Sequence, residues 1–147
     1  MADTYLTILG ESTIGTYLGL CETAAGDKTW IPILDYPEMI GAPNTIEVTD
    51  LSDRYERWVL GVQGNDIKDF TANFDATAYT TLKAFEGKTL YCYLWFGDSA
   101  QGSPDGSQGK FSWQGQVSIG INSGEVNGRR EMVIHCVPTT GPTFSAQ

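Results

Sequence analysis

Histidine and cysteine are the residues of this chain best suited to nucleophilic or metal chemistry, and they are few. The sequence contains one histidine, His135, and three cysteines, Cys21, Cys92 and Cys136. A Ser-His-Asp arrangement would have to use His135, yet this residue lies inside a predicted strand and the sequence has no nucleophile elbow. A zinc site built from these four residues lacks the close pairwise spacing of local zinc motifs. We therefore predict no catalytic residue and no metal site.

Carboxylates are the other side chains that could carry out catalysis, since a pair of them can hydrolyse a glycosidic bond. The connection 50–57 contains Asp50, Asp53, Glu56, Arg54 and Arg57. Two arginines among three acids predict ion pairs at the surface. An enzyme that uses Glu47 or Asp53 stays open as an alternative. The sequence favours a protein that is not an enzyme and that uses no cofactor.

The charge balance narrows the class of partner. The chain has 147 residues, of which 18 are acidic and 9 basic, for a net charge of −9. Tight nucleic-acid binding needs lysine and arginine to displace counterions from phosphates, and an anionic membrane repels an acidic surface. We therefore expect no tight binding to nucleic acid or to an anionic membrane. DNA passing by without adhering is compatible with this charge.

The cysteines also bear on the compartment. They are odd in number and far apart, which is typical of reduced, buried thiols in a protein made in the cytoplasm. The first residues lack the basic and apolar regions of a signal peptide, and no segment approaches the ~20 apolar residues that span a bilayer. We expect the product to stay in the cell that makes it until that cell lyses.

Apolar periodicity predicts several strands and one helix. The run 30–34 is typical of an edge strand, because Pro32 cannot donate to a ladder. Asp75 is a favourable N-cap, Gly87 is a favourable residue just beyond a helix, and apolar residues at helical spacing between them predict a helix over 76–86. Further strands are predicted over 45–49, 67–74, 88–96, 110–121 and 129–137.

These elements predict a mainly β (α+β) fold. The expected form is a β-sandwich or partly closed barrel flanked by one short α-helix, with an extended two-stranded ribbon over 110–137 and long loops. A glycine-rich stretch over 97–109 predicts a long mobile loop. The whole chain, 1–147, is expected to be a single domain with a loose N-terminal segment and a loose tail over 138–147.

Two predicted strands have informative faces. The strand 88–96 has apolar or aromatic residues on both faces, with Tyr91, Tyr93 and Trp95 on one of them, so both faces should be covered. The strand 110–121 alternates between an apolar face and a polar, uncharged face. The polar face consists of Ser112, Gln114, Gln116 and Ser118.

Several stretches, taken in order, resemble the major tail tube protein family of siphophages, which is related to contractile-tail and type VI secretion tube proteins. They are residues 30–33 (WIPI), 44–53 (NTIEVTDLSD), Gly61, 69–71 (DFT), 73–75 (NFD) before the helix, 111–117 (FSWQGQV) and Gly124-Glu125. The resemblance covers most of residues 30–137.

The resemblance implies a structural virion protein of the phage tail, made in the bacterial host cytoplasm. Subunits of this family form hexameric rings that stack into a tube, the conduit for DNA ejection, and strands of neighbouring subunits join into one inner β-barrel. The implied partners are further copies of the chain and the tape-measure, tail tip and tail terminator proteins. DNA would pass through the lumen without specific binding.

Two groups of residues are candidates within this scheme. Ser112, Gln114, Gln116 and Ser118 are candidates to line the lumen. The candidate subunit or ring interface is Asp50, Leu51, Ser52, Asp53, Arg54, Tyr55, Glu56 and Arg57, whose mixed charges suit salt bridges between subunits. The open alternatives are the tube of a contractile tail or secretion system, and a carbohydrate-binding β-sandwich that stacks sugars on the strand around Trp95.

Overall fold

The computed structural model describes residues 14–24, 26–99 and 103–146, together with residues 4, 6 and 8. The described part of the chain forms nine strands and one helix. In chain order they are β1 (Thr16–Cys21), β2 (Thr29–Pro32), β3 (Pro43–Glu47), β4 (Trp58–Gln63), β5 (Lys68–Asn73), α1 (Ala76–Lys83), β6 (Thr89–Asp98), β7 (Pro104–Ile121), β8 (Glu131–Pro138) and β9 (Thr143–Ser145).

Seven strands make one antiparallel sheet in the order β2-β1-β6-β7-β8-β5, with β9 paired to β7. The 18-residue β7 is its spine. One edge of β7 pairs with β6 from Pro104 to Gln116, and the other edge pairs with β9 near Phe111 and with β8 from Gly115 to Ile121. The long hairpin of β7 and β8, predicted as a ribbon over 110–137, is thus built into the main sheet.

The sheet curls until its two outer strands almost meet. Just after β2, the backbone N–H of Leu34 donates to the carbonyl of Thr71 in β5 at 2.7 Å, and Asp35 forms an isolated bridge with Thr71. The Asp35 carboxylate accepts a 3.2 Å hydrogen bond from the Thr71 N–H. The prediction of a mainly β fold with a partly closed barrel and one short helix is confirmed.

The core lies on the concave side of this sheet. Buried residues alternate with half-buried or exposed ones along β5, β6 and β8, as expected for strands with one face on the core. Phe70 and Trp113 stack at 6.0 Å between ring centroids. The fully buried side chains include Leu18, Leu20, Phe70, Leu82, Leu90, Cys92, Leu94, Met132, Ile134 and Cys136. The extent of the domain, 1–147, stays a prediction, and most of the N-terminal segment lies outside the described residues.

The helix begins as predicted and ends earlier. The Asp75 carboxylate accepts from the N–H of Ala78 at 3.1 Å, which caps the first turn, and Leu82 is the residue buried against the sheet. The predicted end at residue 86 is wrong, because the N–H groups of Phe85 and Glu86 bond three residues back, which tightens the chain into turns after Lys83. Gly87 follows with φ +82°, the left-handed conformation that glycine adopts most easily.

Two segments predicted to be loose are paired in the structure. β6 and β7 extend into the 97–109 stretch, so its described part is largely strand, and left-handed Gly97, Gly106 and Gly109 accommodate its irregular pairing. The predicted loose tail 138–147 contains β9, whose Phe144 pairs with Phe111 at 5.2 Å between ring centroids. Burial of part of an aromatic ring favours this pairing.

Outside the main sheet, β3 and β4 form a two-stranded sheet of their own. This hairpin, residues 43–63, is called the ribbon below. Ile46 pairs with Val59, and Glu47 with Trp58. The strand predicted over 45–49 corresponds to β3, which ends at Glu47 and is exposed, with Ile46 at 53%.

Candidate functional site

The ribbon presents many apolar side chains to solvent. Its apolar residues lie on both faces and remain in contact with solvent, with Leu60 at 74% and Val62 at 78% exposure. The exposed apolar side chains of the ribbon are Ile46, Val48, Leu51, Tyr55, Trp58, Val59, Leu60 and Val62. A contiguous set of this kind is rare on a monomer and marks a surface that another molecule covers.

The turn at the end of the ribbon, residues 48–57, is held in one shape by its own polar groups. The N–H of Asp53 donates to the carbonyl of Asp50 at 3.1 Å, closing a turn around Leu51 and Ser52. The Ser52 hydroxyl donates to the Asp50 carboxylate at 2.6 Å and its backbone N–H does so at 2.9 Å. These bonds hold the pKa of Asp50 below its ordinary value. This turn is called the tip below.

Arg57 completes the tip. Its Nε donates to the Asp53 carboxylate at 2.8 Å, a second guanidinium nitrogen lies 3.4 Å from Asp50, and its backbone carbonyl accepts from the N–H of Val48. The predicted interface residues 50–57 therefore make their ion pairs within one chain. In the described part of the chain, Arg54 and Glu56 have no ionic partner, and their role in an interface stays a prediction.

The second set of predicted residues lies together on one surface. Ser112, Gln114, Gln116 and Ser118 point to the face of β7 opposite the buried Trp113, Val117 and Ile119. Gln116 and Ser118 are exposed, whereas Ser112 and Gln114 are half-buried. The polar face predicted from alternation is present. Its position in a lumen stays a prediction.

That polar face continues across two further strands. Ser118 pairs with His135 in β8, and His135 pairs with Asp69 in β5. His135 Nδ1 lies 2.7 Å from the Asp69 carboxylate. The Nε2 atom faces β7, 3.7 Å from where a Cβ at Gly120 would stand. Within the described residues, no hydrogen bond joins Ser118 to the His135 ring. His135 and Asp69 therefore form a cross-strand pair with Ser118 as a neighbour.

The predicted aromatic face of β6 is a closed cluster. Trp30 and Trp95 meet at 4.7 Å between ring centroids. The ammonium of Lys28 lies 5.5 Å from the Trp95 ring centroid and that of Lys110 lies 4.3 Å from it. Gly19 makes room for the Trp30 ring, which a Cβ there would approach to 2.7 Å. Lysine ammonium groups thus occupy the surroundings of Trp95 that a sugar would need for stacking.

The thiols are packed in the interior. Cys92 Sγ and Cys136 Sγ lie 3.6 Å apart, and the indole N–H of Trp113 donates to Cys136 Sγ at 3.1 Å. The pKa of the Cys136 thiol is lowered by the hydrogen bond from Cys92, by the Trp113 N–H and by the charge of Lys68. The pKa of the Cys92 thiol is raised by its hydrogen bond with Cys136 and by burial. Cys21 is buried elsewhere in the fold, where its Sγ contacts the carbonyl of Thr23. Among the described residues no group of three His, Cys, Asp or Glu side chains is arranged to hold a metal ion.

Two features were missed at the level of sequence. Lys68 is 3% exposed, and within the described part of the chain its ammonium donates to the Asn65 side chain and the Asp66 carbonyl. Its parity with Phe70 and Ala72 along β5 was the available signal. The ribbon also had a signal, since apolar residues on both faces of 58–62 fit a hairpin that is covered on neither face by its own chain.

Comparison with known proteins gives a fold and no family. No family model and no curated protein matches the chain. Among solved structures, a chain in the cryo-electron microscopy structure of the anti-feeding prophage baseplate, six-fold symmetrised, has a similar fold, with a TM-score of 0.68 at 4% identity. The match covers 95% of this chain and 97% of that chain. In the described part of this chain, no helix has the length and apolar character needed to cross a bilayer.

Proposed function

We propose that this chain is a structural protein of a phage tail that assembles with copies of itself into stacked hexameric rings. The rings form the tail tube, the conduit through which DNA is ejected into the host. The protein works by association and carries out no catalysis. It would reside in the virion after synthesis in the bacterial cytoplasm.

The observation that carries this proposal is the uncovered ribbon. A hairpin with exposed apolar residues on both faces is marginal as an isolated element. Its side chains gain roughly 1.5–3 kcal/mol each when fully buried. Packing against identical neighbours provides that burial and also covers the free edges of β3 and β4, which would otherwise pair without control.

The similarity of fold gives the proposal its direction. A chain with the same architecture along nearly its whole length belongs to a six-fold symmetrised prophage baseplate. Six copies with a heterologous contact that closes would form a ring of the kind proposed here. The resemblance of residues 30–137 to tail tube proteins supports the same class independently of the fold.

The polar surface of β7 fits a wet channel. Gln116 and Ser118 are exposed and uncharged, and a net charge of −9 per copy repels the phosphates of passing DNA. In this arrangement DNA moves through the lumen without specific binding. The tape-measure, tail tip and tail terminator proteins would be the other partners.

Negative-stain electron microscopy of the concentrated protein tests the proposal. We expect rods with a central channel. Leu60→Glu should abolish the rods while far-ultraviolet circular dichroism stays unchanged, because the charge is placed on the ribbon. Val126→Glu is the matched control: Val126 is 90% exposed but lies in the β7–β8 connection, and its rods should persist.

The contrary outcome is equally clear. A wild-type chain that stays monomeric at every concentration, even beside tail initiator proteins, would overturn the proposal. Rods that form equally well from Leu60→Glu would remove the ribbon from the assembly surface.

A second candidate is favoured by the fact that the similar chain belongs to a baseplate. The chain could form one ring at the end of a tail, or the tube of a contractile tail or secretion system, in place of a siphophage tube. Closed rings that never elongate would favour the baseplate ring. A neighbouring sheath gene would favour a contractile tube.

A further inference from the structure

An apolar cleft of about 410 Å³ opens between α1, β2 and β5. The segment after β2 is joined to β5 by the bridge between Asp35 and Thr71, next to the lining residue Ala72. The cleft is lined mainly by apolar groups, among them Ile31, Ala72, Leu82 and Met132. Asp75 also lines it and is itself exposed, so it supplies a carboxylate beside the opening.

Leu51 is the most exposed large apolar residue of the tip. It is 107% exposed, so its side chain packs against no other described residue of its own chain. The turn from Asp50 to Asp53 places it outward, and the bonds from Arg57 to both carboxylates hold that turn. A side chain displayed on a preorganised turn loses little further entropy when it is bound.

We propose that Leu51 of one copy inserts into this cleft of a second copy. This inference rests on the proposed function, since both require the chain to associate with itself, and it names the receiving surface. Ligand pockets in proteins typically have volumes of ~300–1,000 Å³, so the cleft has room for a leucine and part of its turn. The contact joins two different surfaces and is therefore heterologous, which builds rings or open stacks.

The charges at the two surfaces are complementary. Arg54 lies three residues from Leu51 on the tip and has no ionic partner within the described part of the chain. Within the described part of the chain, the Asp75 carboxylate accepts one hydrogen bond, from the N–H of Ala78, and an ionised carboxylate can accept more. Pairing of Arg54 with Asp75 across the contact would fix the orientation of the inserted leucine.

Disulfide trapping tests the contact directly. Thr81 is an exposed helix residue that lines the cleft. Mixing Leu51→Cys with Thr81→Cys should give cross-linked dimers on a non-reducing gel, and the double variant should give a ladder. Mixing Val126→Cys with Thr81→Cys is the matched control and should give only background. The native thiols are all buried.

A double-mutant cycle tests the charge pair. Arg54→Glu should raise the protein concentration needed for rods about tenfold or more, since it places like charges together. Asp75→Asn keeps a capping residue and removes the charge. It should therefore restore part of the assembly lost in Arg54→Glu. Leu51→Asp should raise the required concentration by at least as much, and Val126→Asp should leave it unchanged.

The results separate this inference from the proposed function. Wild-type rods together with unchanged rods from Leu51→Asp and no cross-link at Thr81 would overturn the insertion and leave the function standing. A chain that never forms rods and gives no cross-link would overturn both. Rods that are lost in Leu51→Asp, with a specific cross-link at Thr81, would support both.

Discussion

At the scale of single residues, the side chains that could carry out chemistry are engaged in contacts within the fold. Cys92 and Cys136 contact each other below Trp113, and His135 bonds Asp69 across a strand pair. Lys68 is the charged residue that the fold buries most deeply among those described. Its surroundings lower its pKa chiefly by removing water. A group in this position costs free energy that it regains only in part from two long hydrogen bonds.

Replacing Lys68 tests this account. We expect Lys68→Met to leave the free energy of unfolding unchanged or to raise it, because the apolar stem is kept and the buried charge is removed. Urea denaturation followed by tryptophan fluorescence would measure the change. Lys88→Met is the comparison, since Lys88 forms a surface pair with Glu22 worth at most ~1 kcal/mol. A loss of more than ~2 kcal/mol in Lys68→Met would show that the ammonium is needed for stability.

At the scale of elements, alternation succeeded wherever one face of a strand meets the core. The strands around Phe70 and Ile134 were predicted on that basis, and both residues are fully buried. β1 was missed, because Leu18, Gly19 and Leu20 are buried in succession and show no alternation. β9 and the first part of β7 were missed for another reason, since their pairing comes from neighbouring strands rather than from their own composition.

The candidate site divides in the same way. Local pattern revealed the polar face of β7 and the charged connection 50–57. It could not reveal that Asp50 and Asp53 both bond Arg57 within the chain, since that depends on how the turn closes. The cleft against α1 was beyond sequence reasoning, because it forms where β5 and the adjoining α1 lie beside β2, which is distant from both in the sequence.

Glycine within β7 provides a test at this scale. β7 is paired on both edges at Gly115, and a Cβ there would lie 2.6 Å from the carbonyl oxygen of Val137. We expect Gly115→Ala to lower the free energy of unfolding by ~1–3 kcal/mol through overpacking. Gly120→Ala is the control in the same strand, where the nearest contact is His135 Nε2 at 3.7 Å. Thermal unfolding would measure both variants, and equal melting temperatures would contradict the close approach.

At the scale of the whole molecule, three carboxylates tie the fold to pH. The pKa of Glu86 is lowered by the N–H of Ile119 and by Lys83, and that of Glu131 by Arg129 and Asn122. The pKa of Asp50 is lowered by the hydrogen bonds that its carboxylate accepts from Ser52. Each group binds its proton less readily in the folded state than in the unfolded state. Their stabilisation is therefore complete above their ordinary pKa values near 4 and is lost as the pH falls through the depressed folded values.

We accordingly expect the free energy of unfolding to be nearly flat from about pH 6 to 8 and to fall below about pH 4. Chemical denaturation across this range would measure it. Glu86→Gln keeps an acceptor for the Ile119 N–H, which Glu86 binds at 2.8 Å, but does not titrate, so it should flatten the acid limb. A profile that declines with the same slope in the variant would remove Glu86 from the account.

The junction between Asp35 and Thr71 has a mechanical consequence. Elsewhere the barrel wall is a continuous ladder of paired residues, whereas this seam is one bridge wide. Local opening follows the weakest cooperative unit, so thermal breathing should part the wall here while the long β6–β7 ladder stays shut. Such local opening would widen the cleft beside α1. A leucine side chain bound in the cleft would in turn oppose the opening and hold β2 and β5 together.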